Sequence, residues 1–562
     1  MQETLEIPVL IVGGGPTGLA AAIELGRHGV PCLLAERHAA TRPHPRASVV
    51  NVRSMELCRA WGIAEEVLAH AMPLTPELGV TWTTSLAGRE IGRLLLLDDI
   101  DRVMKEAASS PVIPAICPQD RFEPLLRERA EREPSVDLRF RTEVVSLVDH
   151  GDHARAELVD ADGQTQTVRA QWVIAADGAR SRLRDDLGID LEGPADVSQQ
   201  VNVYFHADLG PLVEGRSSVL LYVANRAFTG FLIALDGRHR WLLNVARELV
   251  PSATPEGCAA IVAAAIGDPD VETEIVAAYE WTVTAQVATR YRAGRVLLAG
   301  DAAHRFPHTG GFGMNTGIQD AHNLAWKLAA VVRCDAGDGL LDSYDEERRP
   351  VGLSNCAQSL HNARAIADTG ISFAGDGFDL SAVDDDTPEG QAVRERIVAN
   401  IPRQRPHFAF RGQEIGFQYR ESSAVVDDGS GPAPYDVETY VPDGRPGVRA
   451  PHLWIDVAGE QRSTLDLWDG RWAFLGGPDS TGWKQAAALA LADVPFVRFG
   501  VDFTADAEQF AAYGLGDEGA LLVRPDGHVA WRARGRAPLD APDHLRTAIG
   551  LILDRPKTRS IA

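Results

Sequence analysis

A glycine-rich turn near the N terminus constrains the fold more than any other part of the sequence. The pattern G-x-G-x-x-G begins at Gly13, between an apolar run at residues 9–12 and a helical pattern at 18–29. A second apolar run follows at 32–35, so the order is strand, helix, strand. This order predicts a parallel sheet at the start of an α/β fold.

Each glycine of this turn has its own physical reason. Gly13 permits a tight turn, Gly15 leaves room for a pyrophosphate at the positive end of the helix, and Gly18 lets the helix and strand pack closely. Glu36 ends the second strand, where its carboxylate can accept a ribose hydroxyl. A glycine-rich turn without a ligand is the alternative. The strand, the helix and the acid in register favour a dinucleotide site.

A second motif, GDAAH, follows the buried strand RVLLAG and contains Asp301. A buried acid at a strand end needs a hydroxyl-rich partner, and the ribityl chain of a flavin supplies one. Glycines 310, 311 and 313 then form a bare loop before a helix near Asn315, whose N terminus would stabilise negative charge on reduced flavin. A metal or triad site at Asp301 and His304 is the alternative, but no further His, Cys or acid cluster has ligand spacing. We therefore expect no metal.

Charge and cysteine usage limit the partners and the compartment. Acidic residues outnumber basic ones by 79 to 55, which argues against nucleic acid or an anionic membrane as a partner. Residues 7–26 are apolar but contain Glu24 and three consecutive glycines and lack a basic flank, so they predict a strand and helix rather than a signal peptide or membrane span. The six cysteines have no paired spacing, which predicts reduced thiols in apolar surroundings and a cytoplasmic protein.

The rest of the chain divides into an interrupted α/β part and a tail. Helical patterns occur at 54–70, 119–133 and 315–333, whereas alternation between about 200 and 247 predicts an inserted antiparallel sheet. Residues 421–450 are rich in Pro, Gly, Asp and Ser and predict a loop or linker. The tail then has the order β-α-β, a hairpin turning at Asp526-Gly527, and a final helix, which is the thioredoxin-like order.

A third motif, Asp177-Gly178, follows the buried strand WVIAA, although alone it indicates only a turn. The three motifs in this order resemble the class A flavoprotein monooxygenases, the family of p-hydroxybenzoate hydroxylase and phenol hydroxylase. The resemblance spans the chain. It implies that the glycine motif and Glu36 bind the ADP half of FAD, that Asp177 and Gly178 touch both FAD and the nicotinamide cofactor, and that Asp301 holds the ribityl chain.

The resemblance assigns a set of positions to FAD binding by their match to the family's motifs. They are Gly13, Gly15, Pro16, Thr17, Gly18, Glu36, Arg37, Arg46, Gln119, Val144, Asp177, Gly178, Asp301, Pro307, Gly311, Gly313, Met314 and Asn315.

The segments HPRASVVNVRSMELCRAWGI and ALLVRPDGHVAWR are most similar to the bacterial aromatic polyketide hydroxylases, a subgroup with a thioredoxin-like tail. The chain departs from phenol hydroxylase at Ser48, which takes the position of an active-site aspartate. A phenol-deprotonating base therefore cannot be transferred from that enzyme. His44, Tyr222 and His304 remain open as substitutes, with structural roles as the alternative.

The resemblance implies hydride transfer from NAD(P)H to FAD, reaction with O2 to a flavin C4a-hydroperoxide, and hydroxylation of a phenolic or quinonoid, polycyclic polyketide ring. The resemblance also implies that NAD(P)H binds only transiently, which fits the single dinucleotide motif. Tyr222, Phe231 and Trp82 are candidate pocket residues. A Baeyer–Villiger oxidation of a polyketide ketone or quinone, and a non-catalytic FAD-binding protein, remain alternatives.

The predicted fold is therefore α/β with three parts. They are a discontinuous Rossmann-like FAD-binding domain (1–78, 111–185 and 280–400), an inserted antiparallel β-sheet substrate domain (79–110 and 186–279), and a C-terminal thioredoxin-like α/β domain (410–562). No cysteine follows Cys356, so the tail cannot perform thiol exchange. We expect it to cover the flavin domain or to mediate a homodimer.

Overall fold

The computed structural model describes residues 4–41, 43–226, 228–250, 254–371 and 377–555. Residues 1–3 of the predicted FAD-binding domain and residues 556–562 of the predicted C-terminal domain lie outside the described residues. Within the described ranges, no helix combines the length and apolar character needed to cross a membrane. All six cysteines are free and five are buried, but Cys334 is exposed rather than surrounded by apolar groups.

The predicted parallel sheet is the core of an eight-stranded sheet. Its five parallel strands lie in the spatial order Val296–Leu298, Thr165–Ala175, Leu5–Val12, Cys32–Glu36 and Val136–Phe140. Antiparallel strands extend it at Arg292–Ala293, Glu143–Asp149 and Ala154–Val159. Short strands also pair outside it, namely Leu191–Glu192 with Gln286–Ala288 and His304–Arg305, and Val49–Val50 with Ala115–Ile116.

Helices occupy the segments predicted at 18–29, 119–133 and 315–333, and others form where the sequence analysis assigned none. The α-helices are Pro16–Arg27, Val52–Trp61, Ala64–Ala69, Ile100–Ala108, Gln119–Glu131, Arg182–Asp186, Gly210–Val213, Pro255–Ile266, Phe312–Val332, Asp342–Ala365, Pro388–Asn400, Arg411–Ile415, Thr481–Ala490, Ala507–Phe510 and Ala541–Ile552. The helix at Pro16–Arg27 begins with proline, whose missing N–H costs nothing in a first turn. It packs against Phe312–Val332 and Gln119–Glu131.

The single helix predicted at 54–70 is wrong, because two helices occupy this segment. Asn51 caps the first by accepting a hydrogen bond from the backbone N–H of Ser54 at 2.9 Å. Gly62 then adopts φ +77°, a left-handed conformation that suits glycine and ends the helix. The chain turns there before the second helix begins at Ala64.

The inserted sheet has seven strands, and all four strands predicted between 200 and 247 are present. The spatial order is Glu274–Val283, Ser198–His206, Arg240–Ala246, Thr229–Ala234, Ser218–Ala224, Gly79–Thr83 and Glu90–Leu95. The sheet is not wholly antiparallel, because Ser218–Ala224 pairs in parallel with Gly79–Thr83. The latter strand comes from a distant part of the chain, so no tight hairpin forces it to run antiparallel.

The tail contains a four-stranded sheet, and its strands and helices follow one another along the chain in the predicted order. Phe496–Arg498 runs parallel to Ala473–Gly476, which is antiparallel to Ala520–Val523, and Val529–Ala533 forms the other edge. The helix Thr481–Ala490 connects the parallel pair, as in a thioredoxin-like arrangement. A separate hairpin joins Trp454–Val457 to Glu460–Ser463.

A buried ion cluster joins this tail to the rest of the molecule. Arg524 binds both carboxylate oxygens of Glu347, at 2.5 and 2.9 Å, and Lys327 binds the same carboxylate at 2.7 Å. Asp526 pairs with Arg524 at 2.5 Å, and all four side chains are buried. Burial alone would raise the pKa of Glu347, but Arg524 and Lys327 outweigh it and hold that pKa at about 2. The Asp526 hairpin is therefore an anchor between domains.

We predict that Arg524→Met lowers the free energy of unfolding by about 3–5 kcal/mol, because it leaves buried Glu347 and Asp526 without their main counter-charge. The control is Arg546→Met, which removes an exposed partner of Asp543 and should cost less than about 1 kcal/mol. Urea denaturation of both variants measures the difference. Equal effects of the two substitutions would contradict the importance of the buried cluster.

Candidate functional site

The parallel sheet brings the three sequence motifs together at one edge. Gly13, Glu36, Asp177 and Asp301 each stand at or just beyond the carboxyl end of a different, neighbouring strand. Ligands of open parallel sheets bind outside this edge. The motifs are far apart in sequence, so their convergence depends on the strand order.

The glycine turn is as tight as the sequence predicts. Gly13 adopts φ +112°, and a Cβ there would overlap the carbonyl oxygen of Ala176 on the neighbouring strand. A Cβ on Gly18 would overlap the carbonyl oxygen of Gly13, so the helix can approach the strand only with glycine at this position. Both glycines are therefore required by packing, with or without a ligand.

Glu36 fixes the shape of the turn through its carboxylate. Its Oε2 accepts a hydrogen bond from the N–H of Gly14 at 2.7 Å, and its Oε1 accepts one from the N–H of His38 at 2.8 Å. Each carboxylate oxygen can accept a second hydrogen bond. Glu36 can therefore hold the turn and still bind a ribose hydroxyl.

Three other glycines face open space instead of protein. A Cβ added to Gly15, Gly178 or Gly313 would meet no heavy atom within 4 Å in the described part of the chain. No side chain from the described ranges caps the helix after Gly15 or the helix that begins at Phe312, so both N termini keep free N–H groups. The site therefore has an open glycine surface with two positive helix ends.

Asp177 has an unused acceptor at this surface. Its Oδ2 accepts a hydrogen bond from the N–H of Leu183 at 3.3 Å, whereas buried Oδ1 has no partner among the described residues. Burial raises the pKa of Asp177, so a hydroxyl donor from a ligand would relieve a real cost. Free helix ends suit a pyrophosphate, and carboxylates at strand ends suit sugar and ribityl hydroxyls. These residues fit FAD.

Asp301 is exposed at the same edge, where it is available to a ligand. The loops on both sides of it are fixed by close packing. A Cβ on Gly300 or Gly317 would overlap the hydroxyl of Thr17, so Thr17 lies where three elements meet. Arg184 donates hydrogen bonds to the carbonyl oxygens of Ala302 at 3.2 Å and Ala179 at 3.4 Å, which ties the GDAAH loop to the Asp-Gly loop.

Asp320, which the sequence analysis did not single out, organises the GDAAH loop. Its carboxylate accepts hydrogen bonds from the N–H of Gly300 at 3.2 Å and from Arg348 at 2.8 Å, and it binds His304 at 2.8 Å. Burial alone would raise the pKa of Asp320, but Arg348 and His304 lower it. The available signal was that Asp320 is the single acid in the helical pattern predicted at 315–333. His304 is therefore a structural partner of Asp320, and not a group that faces the predicted pocket residues.

The side chain of Asn315 is occupied by protein contacts. Its Oδ1 accepts a hydrogen bond from the N–H of Asn51 at 3.0 Å, and its Nδ2 donates to the carbonyl oxygens of Val49 at 2.9 Å and Gly311 at 2.8 Å. Asn315 thus shapes the loop through its side chain. The helix begins at Phe312, three residues before the predicted start.

The remaining residues predicted to contact FAD lie on several elements. Arg37 and Arg46 are exposed, and Gln119 begins its helix with its N–H bound to the carbonyl oxygen of Ala47 at 2.8 Å. Val144 is buried, and its carbonyl accepts from Arg182 at 3.1 Å. Pro16 starts the first helix, Pro307 is buried in the glycine loop, and Met314 is partly exposed.

The two other candidate bases differ in their surroundings. His44 lies edge-on to Tyr279, with ring centroids 4.5 Å apart, and burial with help from Arg46 lowers its pKa to about 4. Tyr222 stacks on Trp82 at 5.1 Å, and complete burial raises its pKa far above the usual value. Tyr222 and Trp82 are core residues, whereas Phe231 contacts His308 in the glycine loop at 5.1 Å.

A cavity of about 650 Å³ lies between the domain that contains the eight-stranded sheet and the seven-stranded sheet. One wall is formed by Tyr204, His206 and Arg240 of the seven-stranded sheet, and the other by the loop at Thr41 and the helix start at Asp120. This volume is in the range of pockets for small organic ligands. In the described part of the chain, no group of three or more His, Cys, Asp or Glu side chains could hold a metal ion.

Comparison with known proteins gives consistent similarities along the chain. A family model described as FAD binding domain matches residues 6–359, and one described as aromatic-ring hydroxylase, C-terminal, matches 443–556. The 4-methyl-5-nitrocatechol 5-monooxygenase of Burkholderia sp is 37% identical over 98% of both chains. The tetracenomycin A2 monooxygenase-dioxygenase of Streptomyces glaucescens is 37% identical over 99% of this chain and 98% of its own.

A solved structure shows the same fold. The flavin-dependent monooxygenase PieE, in complex with FAD and substrate, superposes with a TM-score of 0.90 and 34% identity, covering 98% of this chain and 100% of its own.

We predict that Gly15→Ala weakens FAD binding by about tenfold or more while the protein folds normally, because its Cβ would enter the ligand space and not the protein. Gly550→Ala is the matched control, since its Cβ also meets no described atom within 4 Å but lies in a distant helix. Flavin titration and thermal unfolding measure the two effects. Unchanged flavin affinity in Gly15→Ala would show that the open surface is not the cofactor site.

Proposed function

The chain belongs to the FAD-dependent aromatic-ring hydroxylases, and we propose that it inserts one atom of O2 into a phenolic or quinonoid ring with NAD(P)H as reductant. The observation that supports this most is the open glycine surface at the strand ends, which includes two helix N termini without a side-chain cap in the described ranges. Bound FAD would supply the redox chemistry: it takes a hydride from NAD(P)H and activates O2, and the second oxygen atom leaves as water.

The chain's own residues position this chemistry. The turn at Gly13–Gly18 and Glu36 would hold the ADP half of FAD, and Asp301 would bind the ribityl hydroxyls. The N terminus of the helix at Phe312 would stabilise negative charge on the reduced ring. Asp177 and Gly178 lie beside them and would contact FAD and, transiently, the nicotinamide.

The seven-stranded sheet would close the site and exclude water. Its face towards the glycine loop contains Phe231, Tyr222 and Trp82, which are almost completely buried. An apolar wall protects a reactive oxygen species from water and protons. The sheet therefore favours oxygen transfer over release of hydrogen peroxide.

The relatives' names include both a nitrocatechol and tetracenomycin A2, and two others are named putative polyketide hydroxylases. We propose a polycyclic polyketide substrate on this similarity. The ring must also be electron-rich, because flavin-activated oxygen is a modest electrophile. A phenol or naphthol near its phenolate form meets this requirement.

We predict that Asp301→Ala lowers FAD affinity on the order of 10- to 100-fold, because the ribityl hydroxyls lose charge-assisted hydrogen bonds worth about 1.5–3 kcal/mol. Asp543→Ala is the control, because Asp543 is an exposed acid that pairs with Arg546. The ratio of flavin absorbance to protein after gel filtration reports occupancy. A fully loaded Asp301→Ala protein would contradict this assignment.

The proposed reaction is tested with a panel of anthraquinones, angucyclinones and simple phenols. We expect one class to stimulate NAD(P)H oxidation and to give a product heavier by one oxygen with its ring skeleton intact. A lactone or an opened ring would instead indicate a Baeyer–Villiger reaction. Oxidation that yields only hydrogen peroxide with every compound would contradict the hydroxylase proposal.

A further inference from the structure

One face of the seven-stranded sheet combines aromatic and polar side chains. Asn202 lies opposite Asn244, Asn244 opposite Phe231, and Phe231 opposite Tyr222 on successive strands. Residues directly opposite one another share a face of the sheet. Two positions further along, Gln200 lies opposite Trp281 on the same face.

Several polar atoms on this face have no hydrogen-bond partner among the residues that the structure describes. The amide oxygens of Gln200 and Asn244 and the indole N–H of Trp281 are buried and form no hydrogen bond with any described residue. Gln200 and Asn244 are 0% and 2% exposed. Buried polar groups are normally hydrogen-bonded, so these atoms indicate a ligand that has both donors and acceptors.

His308 lies over this face. It belongs to the glycine loop, directly after Pro307, and its ring centroid is 5.1 Å from Phe231 and 5.5 Å from Trp281. The strands of Phe231 and Trp281 are separated in the sheet by the two strands that contain Asn244 and Gln200. His308 therefore bridges the polar positions of the sheet on one side and the proposed flavin loop on the other.

The surroundings keep His308 uncharged. Burial lowers its pKa to about 4, and burial together with His308 lowers the pKa of neighbouring His407 to about 3. The residues that face it from the two strands, Phe231 and Trp281, have no charge. At neutral pH an imidazole in this state has an unprotonated nitrogen, as a proton acceptor requires.

We propose that His308 takes the proton from a hydroxyl group of the ring substrate, while Trp281 and Asn244 bind the substrate's other oxygens. The inference rests on the proposed hydroxylase function and assigns its missing base. The O–H bond breaks, its electron pair stays on the oxygen, and the proton forms an N–H bond on the imidazole. The resulting phenolate is the electron-rich form that accepts oxygen.

A weakly basic histidine can do this because the product is an ion pair. The negative phenolate beside the ring favours the imidazolium, and in a buried site this attraction is strong. Before the substrate enters, burial keeps the imidazole of His308 unprotonated. His308 thus becomes a base when a phenol is bound.

The polar groups also define the substrate. The indole N–H of Trp281 only donates, so it suits a carbonyl oxygen, and the free amide oxygen of Asn244 only accepts, so it suits a hydroxyl. The residues named around His308 are uncharged, whereas Arg240 lies four positions from Asn244 on the same face. The positions around His308 therefore fit a ring system with both hydroxyl and carbonyl oxygens.

The first test is spectroscopic and does not depend on turnover. 2-Hydroxyanthraquinone, whose visible absorption changes on ionisation, is titrated with the FAD-loaded protein at pH 6.5. We expect a phenolate difference spectrum with the wild type and with the exposed control His361→Gln, and a neutral-phenol spectrum with His308→Gln. No ionisation by the wild type, or equal ionisation by His308→Gln, overturns the proposal.

The second test is the pH dependence of product formation. We expect His308→Gln to be slower on the order of 100-fold at pH 6.5 and to recover as rising pH ionises the free probe, whereas the wild type changes little. A ratio of rates that stays constant with pH would assign His308 a structural role. Wild-type ionisation without any product would instead contradict the hydroxylase function and leave the base assignment standing.

Discussion

The buried carboxylate of Asp320 is the interaction on which the site depends. It holds the N–H of Gly300, His304 and Arg348, and Arg348 in turn binds the hydroxyl of Tyr419 at 3.1 Å. The loop that presents Asp301 is thereby connected, through charged groups that are all buried, to the segment that leads into the tail. Removing one partner of a buried acid costs free energy of folding. The network therefore stabilises this arrangement of the loop.

The site lies between two surfaces that differ in their chemistry. The edge of the parallel sheet supplies bare glycines, helix N termini and acids, which suit a dinucleotide with many hydroxyls. The face of the inserted sheet supplies aromatic rings and uncharged polar groups, which suit a flat organic ring. The glycine loop from Pro307 to Phe312 lies between these surfaces. Its imidazole, at His308, contacts Phe231 and Trp281 of the inserted sheet.

The sequence predicted the features that depend on short-range patterns. The glycine turn, the acids at strand ends and the order of helices and strands along the tail follow from local spacing and were correct. His308 was missed because it stands in a loop without periodicity, and its meaning comes from Phe231 and Trp281 on distant strands. The Asp526 hairpin was recognised as a turn, but its burial against Glu347 is a tertiary contact that no local pattern reports.

The most direct test of the account is the origin of the oxygen in the product. The FAD-loaded protein is reduced with NAD(P)H in the presence of a hydroxyanthraquinone and then mixed with O2 enriched in oxygen-18, in ordinary water. The account predicts a hydroxylated product with one atom of the heavy isotope on the intact ring, formed in proportion to the enzyme-bound flavin. A product that takes its oxygen from water, or reduced flavin that reoxidises without any labelled product, would contradict it.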